Sequence, residues 1–465
     1  MTETRPESDD TGAVPAVIDA GESAAELLES VEDALERGDA AEVAALVEPE
    51  HPADLADLVE SVDPELRSAL VDAIHSDITG EVLAEMDETV RGEVVDMLGA
   101  ARTAEAVSEL DTDDAVAVIE ELDADVQQEV LQELEPEDRR DIEQGLAYPE
   151  ESAGRLMQRE LIAVEADWDV GEVIDYCRDS ADLPDNFYEL IVIDAHRRPI
   201  GTVALDRLLR SQRPVPVSEI MEGDPTLIPV DMDQEEVALL FQRYNHASAP
   251  VVDAQGRLAG VIMHDDVADV ITEEAEEDIL ALSGVQESDV NAGAFETVRQ
   301  RLRWLVVTLV NTILAAIVIS QFADTIETLV AVAILMPIVA AMGGNSGMQT
   351  VTVTVRALAM REITRANVRR ALWREVVVGL IHGAIFAIIM GGIAGLWFAS
   401  AKLGLVLAGA MLVNMVWAGL AGAAIPLILK RMSFDPAIAS GPFLTTTTDV
   451  LGFFLFLGLA TLFLV

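Results

Sequence analysis

GPFLTTTTDVLG, residues Gly441–Gly452, decides how this chain is read. Asp449 follows four threonines, Thr445 to Thr448, and opens a final apolar run from Val450 to Val465. A carboxylate at membrane depth costs about 3 kcal/mol or more unless it faces water, a cation or a partner, so it marks an ion or proton path. The threonines weigh less, because small hydroxyl residues commonly pack helices together inside a bilayer. The other apolar runs contribute almost no acidic side chains.

Outward from this stretch, the carboxy-terminal part reads as five spans, roughly Trp304–Phe322, a second from near Leu329, Val376–Phe398, Leu403–Leu429 and about Ile438–Val465. Each is long enough, or nearly so, to cross a hydrocarbon core. Arg299, Arg301 and Arg303 precede the first span. The loop after the second carries Arg356, Arg361, Arg365, Arg369, Arg370 and Arg374, and Lys430 and Arg431 follow the fourth. Asp324 and Glu327 lie on the other side. The positive-inside rule then predicts a cytoplasmic N-terminus and an external C-terminus.

PIVAAMGGNSGMQTVTV, Pro337–Val353, is expected to break the second span. Broken backbone survives at membrane depth only where protein or water satisfies it. Close packing by small residues is one explanation; lining a polar path is the other, favoured by the side chains of Asn345, Ser346 and Gln349.

The rest of the 465-residue chain has a different character. Residues 1–300 hold 77 Asp and Glu against 18 Lys and Arg, a net of −59, and residues 301–465 hold 6 against 11, a net of +5. Lys402 and Lys430 are the only lysines, beside 27 arginines. Such a surface resembles that of a halophile's cytoplasmic protein, kept soluble by charge that also repels itself. A nucleic-acid partner is excluded, since phosphate binding needs a basic patch. Cys177, the single cysteine, excludes an internal disulfide, and the polar start of the chain lacks the apolar core of a signal peptide.

The expected fold is multidomain: an all-α superhelical N-domain, tandem α+β modules and an α-helical membrane domain of five spans. Residues 1–20 read as a disordered leader. Near-repeats such as SVDPELRSALVDAI, ELDTDDAVAVIEEL and ELDADVQQEVLQEL predict stacked amphipathic helices over 21–150. Strand, turn, strand and acidic helix then occur twice, over 151–212 and 213–271, with ELIVID, PIGTVAL and APVVDAQGRLAGVIMHDDVADVI as the strand-bearing stretches. A charged segment, 272–300, leads into the membrane domain at 301–465. A wetted helix carrying one carboxylate suits a hydrated divalent cation, because magnesium keeps several waters and binds through one or two carboxylates. Carboxylate rings select cations in channels.

SAGRLM (Ser152–Met157), the paired strand-helix modules, EEDILALSGV, GGNSGMQT and GPFLTTTTDVLG, in this order and with five spans, resemble the MgtE magnesium channels. The resemblance covers essentially everything after the leader. It implies a homodimer in the lipid bilayer with the pore on the two-fold axis, an N-domain, two CBS modules and a plug helix over 272–300. It implies that magnesium is carried and that cytoplasmic magnesium closes the pore. By this likeness Asp449 holds the hydrated ion, and Asn345, with Gly343 and Gly344, lies near the cytoplasmic gate; Thr448 joins them as a pore residue. Asp233, Glu235, Asp266 and Asp269 match acidic sensor positions in the second CBS module, and Glu274, Glu277 and Asp278 those of the plug helix. Asn245 stands where another acidic sensor is expected, and Ser346 and Gln349 occupy variable positions.

CBS modules often bind ATP or AMP, but the usual Ser or Thr after the second strand is missing from Gly201–Asp206 and Gly260–Asp265. Three rivals remain. Gly344-Asn345-Ser346-Gly347 fits the G-x-S-G of rhomboid-type proteases, with His382 as base. A membrane-tethered sensor that transports nothing is the second, and a channel for cobalt or another divalent ion the third. Softer metals favour His or Cys, of which the membrane half offers only His382.

Overall fold

The computed structural model describes residues 20–180, 183–184, 186–282, 294–432 and 434–465. The leader (all but Ala20) and residues 283–293 of the expected plug segment lie outside the described residues. The chain divides into two compact units, 1–270 and 271–465.

The first unit opens with ten short helices: α1 (Ala20–Arg37), α2 (Ala40–Val47), α3 (Pro52–Ser61), α4 (Pro64–Ala73), α5 (Gly80–Ala84), α6 (Glu88–Leu98), α7 (Ala100–Val107), α8 (Thr112–Glu120), α9 (Ala124–Glu133) and α10 (Pro136–Leu146). Their starts follow from sequence: α3, α4 and α10 carry proline in their first turn, and the Asp63 side chain accepts from the N–H of Glu65. Apolar faces at helical spacing meet in one core that includes Leu55, Leu70, Ile74, Ile78, Leu83, Val94 and Ile119.

Buried arginines close the other ends of these helices. Arg67, 4% exposed, donates to the Val59 and Glu60 carbonyls and pairs with Glu93. Arg91, 6% exposed, donates to the Ala84 and Met86 carbonyls and pairs with Glu121. Arg155 repeats the device on Leu146 and Tyr148, with Glu120 as its partner. A planar guanidinium reaches two terminal carbonyls and one carboxylate together, which a lysine ammonium does less well.

The two α+β modules follow. The first contains β1 (Ala163–Glu165), α11 (Val170–Asp179), β2 (Glu189–Ile193), β3 (Pro199–Ala204), α12 (Leu205–Arg210), α13 (Val217–Ile220) and β4 (Glu222–Gly223), with sheet order β1-β2-β3-β4. The second contains β5 (Ile228–Pro229), α14 (Gln234–Tyr244), β6 (Ser248–Val252), β7 (Leu258–Met263) and α15 (His264–Leu282), with order β5-β6-β7. In both, a parallel pair is followed by an antiparallel hairpin. Both hairpins turn on an aspartate: Asp194 accepts from the N–H groups of His196 and Arg198, Asp253 from those of Gln255 and Arg257. The left-handed position of that turn is Gly256 (φ 75°) in one module and Arg197 (φ 59°) in the other.

The second unit holds α16 (Ala294–Ser320), short α17 (Ala323–Thr328), α18 (Val330–Ala359), α19 (Val368–Trp397), α20 (Ala401–Arg431) and α21 (Pro436–Leu464). Among the described residues, five helices are long and apolar enough to cross a membrane. One expectation is corrected: α18 does not break at Pro337–Val353 but runs on as a single helix with Pro337 inside it. Its small residues let neighbours press close, and packed partners satisfy what the proline and glycines weaken. Gly347 lies against Leu444, and Gly422 against the Gly347 carbonyl.

Candidate functional site

Helix α18 presents two faces. Val339, Gly343, Gly347, Thr350 and Thr354 are buried, whereas Ala341, Asn345, Gln349, Thr352 and Arg356 are exposed at intervals of three or four residues. The expected pore residues thereby separate. Asn345 is on the open face, and Gly344 has open space where a side chain would begin. Gly343 is buried with the Asn414 side chain pressed on it.

On α21 all four threonine hydroxyls bond to carbonyls one turn back. Thr445 donates to Gly441 and Pro442, Thr446 to Pro442, Thr447 to Leu444, and Thr448 to Leu444 and Thr445. Thr448 is fully buried, so it packs inside the chain. Asp449 is half-buried on the same helix.

Two asparagines of the membrane unit were not singled out from sequence. Asn311 on α16 donates its amide to the Pro442 carbonyl at 3.2 Å, and Asn414 on α20 donates to the Val339 carbonyl at 3.0 Å. An amide within an apolar run was the available signal. Glu375, largely buried on α19, is held by Arg374 and by the Thr350 hydroxyl at 3.4 Å.

In the soluble unit, α8 and α15 bring carboxylates together. Asp113, 7% exposed, is pushed well above the ordinary carboxylate range by burial first and then by Asp266 and Asp114. Asp266 is raised to about 7, chiefly by burial, with Asp265, Asp114 and Asp269 adding repulsion against the Met263 N–H that it accepts. Asp114 and Asp269 are raised as well, again by burial first. Sequence singled out Asp266 and Asp269 but not Asp113 or Asp114, which look like any other acidic helix start. Glu160 pins that start, accepting from the Thr112 N–H and hydroxyl at 3.1 and 2.7 Å.

The other sensor candidates stand apart. Asp233 caps α14 by accepting from the Glu235 N–H, a placement that first-turn acids favour anyway. In the second unit Asp278 is raised by burial, then by Asp435 and Glu274; Asp435 caps α21. Glu274 and Glu277 lie on the same helix. Among the described residues no three His, Cys, Asp or Glu are grouped closely enough to hold a metal.

Sequence profiles match three regions: MgtE, a divalent cation transporter, over 336–459; the MgtE intracellular N domain over 50–151; and a CBS domain over 217–273. A match to a divalent cation transporter family together with five apolar helices defines a multi-pass membrane transporter rather than an enzyme. Magnesium transporter MgtE of Thermus thermophilus is 34% identical over 70% of this chain and 72% of its own length. That of Bacillus subtilis is 31% identical over 68% and 70%. The chain belongs to the MgtE family. A solved cytosolic domain of the Mg2+ channel MgtE in complex with ATP is 31% identical, with a TM-score of 0.49 over 52% of this chain and 99% of that one. The soluble part of a magnesium transporter is 23% identical, with a TM-score of 0.48 over 54% and 99%.

Proposed function

We propose that the chain is a magnesium channel of the cell membrane, importing the ion for homeostasis and closed by cytoplasmic magnesium. The observation that carries this is Asp449, a half-buried carboxylate within the family-matched segment, on a helix whose neighbouring hydroxyls are all satisfied by their own backbone. That leaves the carboxylate as the group available to a hydrated cation, and magnesium prefers such hard oxygen donors with its water retained. Asn345 lines the same path; Gly343 and Thr448 serve as packing residues beside it. Polar Asn345 and Gln349 on an open face cannot rest against lipid, which supports a homodimer whose second copy covers them. The arginine distribution supports an internal N-terminus.

The acidic contacts supply the control. Carboxylates that repel one another, buried Asp113 and half-buried Asp266 with the more exposed Asp114 and Asp269 beside them, are relieved by a cation or a proton between them. Magnesium at these points, and at Asp278 beside Asp435, favours the closed arrangement; Asp233, Glu235, Glu274 and Glu277 add weaker sites. Switching from 1:99 to 99:1 takes about 5.5 kcal/mol of differential binding, which several weak sites together provide. A nucleotide fits less well. The cleft lined by Gln158, Tyr188, Glu160 and Glu189 sets carboxylates against a polyphosphate, so ATP would need its charge masked by magnesium.

Magnesium entry into proteoliposomes at high potassium chloride tests the proposal. Wild type should conduct and Asp449→Asn should lose at least about tenfold, a loss set by removing a charged ligand. Equal entry in both would sink the role of Asp449. No entry in folded wild type with low internal magnesium would favour a tethered sensor.

A further inference from the structure

Asn414 is fully buried in the membrane unit. Its Nδ2 donates to the Val339 carbonyl of α18, and its Oδ1 has no hydrogen-bond partner. Two glycines make room for it. A Cβ on Gly343 would sit 2.3 Å from Nδ2, and one on Gly452 would sit 2.9 Å away. These glycines belong to different helices, and each is close in sequence to a proposed lining residue: Gly343 precedes Asn345 by two positions, and Gly452 follows Asp449 by one helical turn.

A buried amide with an unsatisfied oxygen is an unfavourable way to fill an apolar junction, and leucine of similar size would remove that cost. The hydrogen bond also has a consequence for α18. The Val339 carbonyl is the one that Gly343 N–H reaches within an ideal helix, so its second lone pair ties α20 to α18 beside a Gly-Gly pair of low helix propensity.

We infer that Asn414 is a positioning residue for conduction: its side chain fixes the level of the Gly343–Asn345 turn of α18 against the Asp449 turn of α21, and so sets the geometry in which the hydrated cation is held. This rests on the channel reading above and deepens it. Asn414 itself touches no ion.

Full-length protein in proteoliposomes provides the test, with magnesium and calcium entry measured for wild type, Asn414→Leu, Gly343→Ala and the double variant Asn414→Ala/Gly343→Ala. The double variant refills the junction without the amide. Expected are about tenfold slower magnesium entry in all three, the scale of one lost buried hydrogen bond, and a reduced preference for magnesium over calcium. Asn414→Leu should meanwhile melt no lower than wild type. A mere packing role predicts the reverse: a lower melting temperature for Asn414→Leu and recovery of entry and preference in the double variant. Either result overturns the inference.

A second measurement does not depend on conduction. In a Cys177→Ser background, the rate at which a water-soluble thiol reagent modifies Ala341→Cys should change severalfold when Asn414→Leu is added. An unchanged rate overturns the positioning role. A wild type that passes no magnesium while this rate does change would defeat the channel reading and leave standing only that Asn414 sets the level of α18 against α21.

Discussion

Asp266 titrates near neutrality because burial and its acidic neighbours resist its ionisation. Its folded value, about 7, lies above that of a free carboxyl, so the folded state binds the proton more tightly than the unfolded chain does. The stabilisation is complete below the unfolded value and is lost as pH rises through about 7. In magnesium-free buffer the full-length protein should therefore melt higher at about pH 6 than at about pH 8, and magnesium should raise the melting temperature more at the higher pH. Asp266→Asn should flatten this profile. A variant that keeps the wild-type pH dependence would remove Asp266 from the explanation. The same residues show what sequence could tell. Asp449 was legible because a carboxylate in an apolar run has few ordinary explanations. Asp113 was not, being one of 77 acids in the first 300 residues, and only burial distinguishes it. Asn414 was visible as a lone amide in its span, but nothing in the chain told which helices it joins.

Helix starts were written plainly in Pro and Asp, while helix ends were not. The carbonyls that close α3 and α5 are satisfied by Arg67 and Arg91, each from the next helix along the chain, a contact that no local pattern announces. Arg91→Ala should cost about 3 kcal/mol, since it strands two carbonyls and removes the ion pair to Glu121. Urea unfolding checks this; a change under about 0.5 kcal/mol would mean that water replaces the guanidinium. Helix α18 teaches the opposite lesson. Its proline and glycines suggested an interruption, yet packing against α20 and α21 keeps the backbone regular, because tertiary contacts override local propensity.

For the whole molecule, the excess of acid is the dominant physical fact. A net charge of −54, with −59 in residues 1–300, opposes compaction of the soluble half. The Debye length falls from about 10 Å at 0.1 M salt to about 3 Å at 1 M, so salt removes long-range repulsion but screens buried neighbours such as Asp113 and Asp266 much less. The melting temperature should accordingly climb between about 0.1 and 1 M potassium chloride. A flat or falling curve would argue against adaptation to salt. Repulsion that acts only over distances beyond about 3 Å is screened at 1 M salt.

Helix α15 starts after the last strand of the second module, and near its end Ala281 packs with Val351, Val355 and Leu444. At about 1.5 Å per residue it behaves as a rod nearly 30 Å long, stiff in length and resistant to twist. A loop there would absorb displacement as slack. A rod passes on both translation and rotation, so a small turn of its first residues arrives at Leu282 almost undiminished. How faithfully α15 carries a displacement along its own length is thus set by backbone rigidity rather than by any single contact.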